Sequence, residues 1–484
     1  MAVVRPDHPA GLPIGDGWVT DTGSAEVRFP YDGSLVGTAP VGTVAHATAA
    51  LDAGVDAVRA VGKLTSATRK AILLAVERAL AERQDEFVDL LVAETGKTIT
   101  DCRTEAARAL FTWSSAAEEV AHLHGETVPL DMQAAGEGMV GFWTRRPIGL
   151  VIGVAGFNYP LLLATHKIAP AIAAGCPVIC KPAPATPLAT LWLAHLVREA
   201  TASMGAPAAM VQVVTGDADV GRTLVTDPRI GAVSFTGSAA VGHRIAADAA
   251  PRKALLELGS NTALVVDADA NLDRAVDAVL RGGFYGNGQA CISVQRVLVA
   301  EQVVDDFTAR LVARMPELAV GDPRLDETSV APLIDENATA RAGEWIEEAE
   351  RAGAKLLCGG GVDGRAVEPT VLADVPDGVR TWCEEVFAPV VCVRSVPDMD
   401  TAFELVNDSR YGLHASVYTA SLATAFRAVE ELDVGGVVVN EVPGFRSDIM
   451  PYGGVKDSGI GREGPRFAIE ELTVTRMAVI RPDA

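Results

Sequence analysis

Basic residues are scarce in this chain: 41 lysines and arginines stand against 63 aspartates and glutamates, a formal net charge of -22. Nucleic acids and anionic membrane surfaces both select basic surface, so the balance excludes both as partners. It says nothing about the substrate, because a pocket can be basic on an acidic protein. Seven cysteines are present, an odd number without the spacing of a disulfide framework or a zinc site. Cys176 and Cys180 lie close in sequence, but no second pair or histidine cluster accompanies them. They read as free thiols in a reducing cytoplasm, and no metal is expected. The opening Met1-Ala2-Val3-Val4-Arg5-Pro6 lacks the apolar core of a signal peptide. The most apolar stretch, residues 150–180, is interrupted by Asn158, His166, Lys167, Pro160, Pro170 and Pro177. No membrane-spanning helix is expected from it. Repeats and low-complexity tracts are also absent.

What is there is a globular composition. The 484 residues are 49% hydrophobic and 21% charged, enough for two large cores. The first 120 residues or so read as mostly helical, with apolar residues spaced at three and four over 45–60, 66–80 and 86–94. From Gly149 short β-rich runs (150–154, 177–180, 211–214, 232–235, 254–258) alternate with helical stretches such as 187–201 and 220–226. That alternation predicts βαβ units and a mostly parallel sheet covered on both faces. A second alternating α/β region runs from Thr262 to about Asn440. Residues 125–146 and 470–480 carry apolar or β-branched residues without helical spacing and fit neither core. Extended arms pairing with another subunit would account for them, since an unpaired strand edge is a liability.

Several motifs mislead. Gly459-Ile460-Gly461-Arg462-Glu463-Gly464 matches G-x-G-x-x-G, but it follows no predicted strand and no acidic residue sits at the required distance. Gly96-Lys97-Thr98 resembles half a P-loop, with Leu91 where the first glycine is needed. His122 and His124 are two apart, unsuited to one helix face.

Other segments place reactive groups where ligands bind. Gly288-Gln289-Ala290-Cys291-Ile292-Ser293 puts a cysteine after a glycine-rich approach; taken alone, such a cysteine is usually a small buried hydrophobe. Asn158, in Gly156-Phe157-Asn158-Tyr159-Pro160, follows the first predicted sheet strand, at the end where open α/β sheets bind ligands. Its amide either caps the next helix or donates to a developing oxyanion. Lys181-Pro182 follows the second strand, where a lysine reaches a ribose or phosphate or is merely solvated. Ser238, in Phe235-Thr236-Gly237-Ser238, opens a helix whose free N–H groups suit a pyrophosphate; a plain N-cap is compatible with that. Glu257 interrupts an apolar strand, so it needs a hidden salt bridge or a purpose; burial there would raise its pKa towards a general base. Glu384 and Glu385 precede Val386-Phe387-Ala388-Pro389 and are surface charges or hydroxyl ligands.

Together these pieces resemble the aldehyde dehydrogenase superfamily, in order and over nearly the whole chain: residues 156–160, 181–187, 235–242, 256–259, 288–291, 384–390 and 451–463. Residues 291–296 and 450–454 look closest to its lactaldehyde and phosphonoacetaldehyde dehydrogenase-like branch. The resemblance implies an α/β fold with a Rossmann-like, five-stranded cofactor domain (1–124, 147–256 and 441–469). A catalytic domain (257–440) and a small β oligomerisation arm (125–146 and 470–484) complete it, in a homodimer or homotetramer. It implies NAD or NADP as cofactor and a small aldehyde, hydroxylated or anionic, as substrate. Cys291 becomes the nucleophile, and Asn158 with the Cys291 N–H holds the oxyanion. Hydride passes to the nicotinamide, and Glu257 activates the water that hydrolyses the resulting thioester. Lys181 would hold the adenine ribose, Ser238 and Gly237 the pyrophosphate, and Glu385 the nicotinamide ribose, with Phe157 and Phe387 packing at that end.

The departures matter. Phe157 replaces the usual tryptophan. Pro184 stands where NAD-preferring members commonly carry a glutamate, which leaves NADP admissible. Ala290 replaces the arginine that often precedes the cysteine in members taking anionic aldehydes, so Arg103, Arg108 or Arg446 would have to anchor such a substrate. The alternatives are a CoA-acylating semialdehyde dehydrogenase, which generally lacks the carboxylate at Glu257, and a catalytically silent cofactor-binding structural protein.

Overall fold

The computed structural model describes residues 8–482, so the stretch Met1–Pro6 and residues 483 and 484 of the expected arm lie outside the described residues. The three helices expected from apolar spacing are Val44–Val61, Ser66–Ala81 and Gln84–Thr95, within two residues of the predicted ends. A fourth, Ile99–Glu119, follows. The correction lies before them: Leu12–Ile14 pairs with Gly17–Val19, and Gly23–Arg28 with Leu35–Val41, in two antiparallel ribbons. Three-residue strands are too short to show a period, and Gly23–Arg28 is exposed at all positions but Val27, so no alternation marks it.

The first sheet has six strands, not five. Its parallel members lie in the spatial order Lys253–Glu257, Ile230–Thr236, Leu150–Val154, Val178–Lys181, Val211–Val213. Gly459–Ile460 adds an antiparallel edge beside Leu256 and Glu257. This two-residue strand is the start of the false dinucleotide motif, and its length explains why no strand pattern announces it. The chain builds outward from Leu150–Val154 on one side and then returns to add Ile230–Thr236 on the other. The carboxyl ends of those two strands therefore bound the crevice in which doubly wound sheets take ligands. Helices cover both faces, which is why the strands read as unbroken apolar runs instead of alternating ones.

A second sheet of seven strands runs Lys355–Cys358, Thr370–Ala373, Val390–Val396, Arg296–Ala300, Ala263–Val266, His414–Tyr418, Gly436–Val439, parallel except for the first pair. Separate apolar cores fill its two faces. The two pieces that fitted neither core pair with each other. Thr473–Ile480 lies antiparallel to Val140–Pro147 over eight register pairs, with Thr127–Val128 beyond. Partnership within the chain thus satisfies one edge of Thr473–Ile480; its other edge has no strand neighbour among the described residues. No helix among those residues is long and apolar enough to cross a membrane.

Two buried glutamates lock the N-terminal helices onto the sheet's helices. Glu94 accepts from the N–H groups of Leu188 and Ala189 (2.9 and 3.0 Å), and Glu105 from those of Leu161 and Leu162 (2.9 and 3.1 Å). Each carboxylate thereby takes up N–H groups orphaned at a helix start and meets the positive dipole end. Glu105 also pairs with Lys97 at 2.5 Å, both side chains buried. Removing one partner from such a pair strands a charge, at a cost of about 3–5 kcal/mol. The apparent half P-loop is therefore structural. Gly96 ends its helix at a left-handed φ of 72°, Lys97 enters the ion pair, and Thr98 accepts from the Asp101 N–H as the next helix's cap. His122 is likewise a surface group, paired with Glu119.

Candidate active site

At the switch point between the two halves of the first sheet lies a cleft of about 760 Å3. The loop after Leu150–Val154 brings Phe157 and Asn158 to it, and the turn after Ile230–Thr236 brings Gly237 and Ser238. The last residue of the next strand, Glu257, also faces it. From the second unit come Cys291, Glu385 and Phe387. Of the nine residues singled out from sequence, eight line this one cleft. Lys181 does not; it ends its own strand with its side chain packed beside Gly221 and within the field of Asp217. Burial lowers the Lys181 pKa, and among the described residues the lysine makes no ion pair.

A left-handed turn presents Cys291. Gly286, Asn287 and Gly288 have φ of 57°, 60° and 71°, and a Cβ on Gly288 would fall 2.2 Å from the Ala388 carbonyl oxygen. Glycine is required there by space as well as by dihedral. Asn287 adopts the strained conformation because its side chain is held on both sides, donating to Pro332 O (3.0 Å) and Gly96 O (3.3 Å) and accepting from Ala331 N (2.8 Å). Asn158 does not cap the following helix, whose cap position is Tyr159. Its Nδ2 donates to Gln289 O at 2.7 Å, tying it to the cysteine loop and leaving the second amide hydrogen uncommitted.

Burial pushes the Cys291 thiol up to about 12; a hydrogen bond with Tyr452 pulls the other way, and the Glu385 and Glu257 carboxyls add to the rise. Glu257 makes no ion pair among the described residues, and its Oε2 has no hydrogen-bond partner. A hidden salt bridge is therefore not what it serves. Burial, and then the like charge of Glu463, raise its pKa well above the ordinary carboxylate range. Glu463 goes the opposite way: although burial opposes it, Lys167 (2.5 Å) and His166 (3.0 Å) hold it ionised. Two buried glutamates pushed apart in pKa mark an acid–base site more than a structural one.

The paired glutamates both line the cleft and differ in their hydrogen-bond partners. Glu384 accepts from the Tyr411 hydroxyl at 3.2 Å and lies 3.5 Å from Arg410, both of which line the cleft with it. Glu385 is half-buried in the cleft; desolvation raises its pKa to about 7, and it accepts from the Ser260 N–H at 3.0 Å. Phe157 and Phe387 meet edge to face with centroids 5.8 Å apart. Ser238 stands at the cap position of the 11-residue helix Ala239–Ala249, but its hydroxyl makes no capping bond. A helix start with free N–H groups thus opens into the cleft that the Glu385 carboxyl also lines, which suits a dinucleotide's pyrophosphate and ribose.

The arginines divide too. Arg103 pairs with Asp326 on the surface. Arg108 is bidentate to Asp448, at 3.1 and 2.7 Å. Arg446 is buried, 3.4 Å from both Asp448 and Glu463, and stacks over the Tyr452 ring with 3.8 Å to the centroid. Tyr452, Lys167 and Glu463 are the residues that sequence reasoning missed. Lys167 did carry a signal, as a lysine in a helix buried on every side must have a partner. Tyr452 lies in the segment 450–454 that carried the resemblance, but no role was read for it, because it meets Cys291 across 161 positions of chain.

Residues 18–478 match the family model described as "Aldehyde dehydrogenase family". The chain is 38% identical over 471 residues to the 3-sulfolactaldehyde dehydrogenase of Priestia aryabhattai, covering 97% of this chain and 98% of that protein. Other relatives are named lactaldehyde and sulfoacetaldehyde dehydrogenases, which fits the branch suggested by sequence. Aldehyde dehydrogenase 21 of Physcomitrella patens, solved with its reaction product succinate, superposes with a TM-score of 0.95 at 36% identity, over 98% of each chain. The glyceraldehyde-3-phosphate dehydrogenase of Methanocaldococcus jannaschii, solved with NADP, gives 0.92 at 32% identity, over 96% of this chain and all (100%) of that one. With a match across nearly its full length and a doubly wound sheet ending in this cleft, the chain belongs to the aldehyde dehydrogenase family and is an NAD(P)-dependent aldehyde oxidoreductase.

Proposed function

We propose that Cys291, Asn158 and Glu257 carry the oxidation of a small aldehyde to its acid, with residues 257–440 as the catalytic unit. The observation that supports this most is the meeting of a thiol, an amide with a spare hydrogen and an ion-pair-free carboxyl in one cleft. The Cys291 sulfur adds to the carbonyl carbon; a C–S bond forms and the C=O electron pair moves onto oxygen. That oxyanion accepts from the Cys291 N–H and the second Asn158 hydrogen. Bound NAD(P) supplies the hydride acceptor that takes the reaction to the acid level. Glu257 then removes a proton from water as it attacks the thioester, and the C–S bond breaks to return the thiolate.

Segments 1–124, 147–256 and 441–469 form the cofactor unit. Gly237 and Ser238 hold the pyrophosphate and Glu385 the nicotinamide ribose. Phe157 and Phe387 wall that end, and Lys181 reaches the adenine ribose from the neighbouring strand end. Glu257 also disfavours the CoA-acylating alternative, which needs no water-activating carboxylate.

The substrate class is a short aldehyde with a hydroxyl or anionic far end, and Arg446 is the favoured anchor. Arg103 is a surface residue and Arg108 is bidentate to Asp448, whereas Arg446 meets Asp448 and Glu463 only at 3.4 Å and covers the ring of Tyr452, the partner of the Cys291 sulfur. A panel of short aldehydes with and without a carboxylate, sulfonate or phosphonate, run with each cofactor, tests this. Anionic members are expected to give higher kcat/KM, and both cofactors to turn over, because Pro184 leaves no carboxylate to repel a 2′-phosphate. Indifference to charge removes the anchor; a strong preference for NAD contradicts the Pro184 reading.

The arm 125–146 and 470–484 belongs to a homodimer or homotetramer. Among the described residues its strand Thr473–Ile480 leaves an edge unpaired, and it exposes Val474, Met477, Val479 and Ile480, a surface that monomers avoid. Light scattering on the purified protein is expected to read at least a dimer, and a stable monomer removes this assignment. The seven free thiols fit a reducing cytoplasm.

A further inference from the structure

Tyr452 lies 3.2 Å from the Cys291 sulfur, and its ring is buried between two partners that hold it there. The Arg446 guanidinium covers one face at 3.8 Å to the centroid, and His414 meets the ring in a T-shaped contact at 5.0 Å. The backbone is fixed as well, since Tyr452 and Glu463 exchange N–H···O bonds in both directions. His414 adds no charge to this environment. Burial lowers its pKa, and its Nδ1–H donates to the Pro443 carbonyl at 2.9 Å.

We propose that Tyr452 is a further catalytic residue, its phenol donating a hydrogen bond to the Cys291 thiolate and so setting how much of that thiolate exists. The inference rests on Cys291 being the nucleophile. A thiolate is the attacking form, and a donor that bonds the charged form favours it. Burial keeps the phenol protonated far into the alkaline range, so Tyr452 serves as a donor and does not act as the base. Arg446 above the ring makes that donor more acidic and adds its own favourable field at the sulfur. Glu385 and Glu257 both disfavour the thiolate, and the Tyr452 bond is the largest influence that opposes burial. The same bond acts again when the acyl group leaves. The C–S bond breaks, the electron pair returns to sulfur, and the phenol hydrogen is already in place to receive it.

Alkylation of Cys291 by iodoacetamide, followed by peptide mass spectrometry across a pH series, reads the thiolate without any turnover. Tyr452→Phe removes one oxygen and keeps the ring. The expected result is alkylation about 10- to 100-fold slower at each pH, the size of a hydrogen bond to a charged group. An equal fall in kcat/KM should accompany it. Cys102 and Cys392, both buried, report packing and should stay unlabelled. An unchanged alkylation profile overturns the proposal. So does slowing accompanied by labelling of Cys102 and Cys392, because the loss is then one of packing. Failure of the nucleophile assignment is seen separately, as turnover persisting in Cys291→Ser.

Discussion

Cys291→Ser is expected to lose aldehyde-dependent NAD(P)H formation by roughly ten-thousand- to a million-fold, the scale on which removal of a covalent nucleophile acts. The substitution changes one atom, so the left-handed turn, the Asn158 bond to Gln289 and the cleft walls remain. What disappears is the sulfur nucleophile itself. Even a thiol pushed up to about 12 ionises far more readily than a serine hydroxyl in the same place. Cofactor affinity, measured by fluorescence titration, should be unchanged, because none of the residues assigned to the cofactor is altered. A serine variant retaining even about a tenth of the activity would end the assignment and, with it, the reading of the cleft. A catalytically silent binding protein would show no turnover in either form.

Glu257→Gln should behave differently, and the difference identifies the step. The first turnover still reaches the thioester, so a burst of NAD(P)H close to one per active site is expected, followed by a steady rate about 10²- to 10⁴-fold lower. Intact-mass measurement should find the acyl group on Cys291. The pH dependence follows from the direction of the Glu257 shift. Burial and the neighbouring Glu463 raise its pKa, so at low pH the carboxyl is protonated and cannot accept a proton from water. Hydrolysis therefore rises with pH through a midpoint above the normal glutamate range, and that rise is absent in the Gln variant. A CoA-acylating enzyme would instead need CoA for steady turnover in the wild type. A wild-type rate that is independent of CoA but unaffected by Glu257→Gln would remove Glu257 from the mechanism.

Legibility in the sequence tracked how local each cause was. The amphipathic helices and the unbroken apolar strands of the first sheet were readable because burial writes its period or its lack of one directly into neighbouring residues. The strands Gly23–Arg28 and Gly459–Ile460 were not, one because it is nearly all exposed, the other because two residues hold no pattern. Glu257 stood out for the same reason as the helices: a carboxyl in an apolar strand contradicts its surroundings. Glu384 and Glu385 could not be told apart from sequence, since both line the cleft and only tertiary contacts decide that one accepts from Tyr411 and the other from the Ser260 N–H. The arms were visible as misfits but not as partners of each other, because Thr473–Ile480 and Val140–Pro147 are joined by hydrogen bonds that leave no trace in composition.

The sequence by itself determined the alternating α/β plan, the family, and which thiol, amide and carboxyl could do chemistry. Those depend on residue type and near-neighbour pattern, which survive without coordinates. Tertiary structure alone decided which charges neutralise which. Lys167 holds Glu463 ionised while Glu257 makes no ion pair among the described residues, and Arg108 is bidentate to Asp448 while Arg446 also covers Tyr452. Coulomb and hydrogen-bond energies depend on distances of a few ångströms between groups brought together from far along the chain, and that separation is written only in the fold.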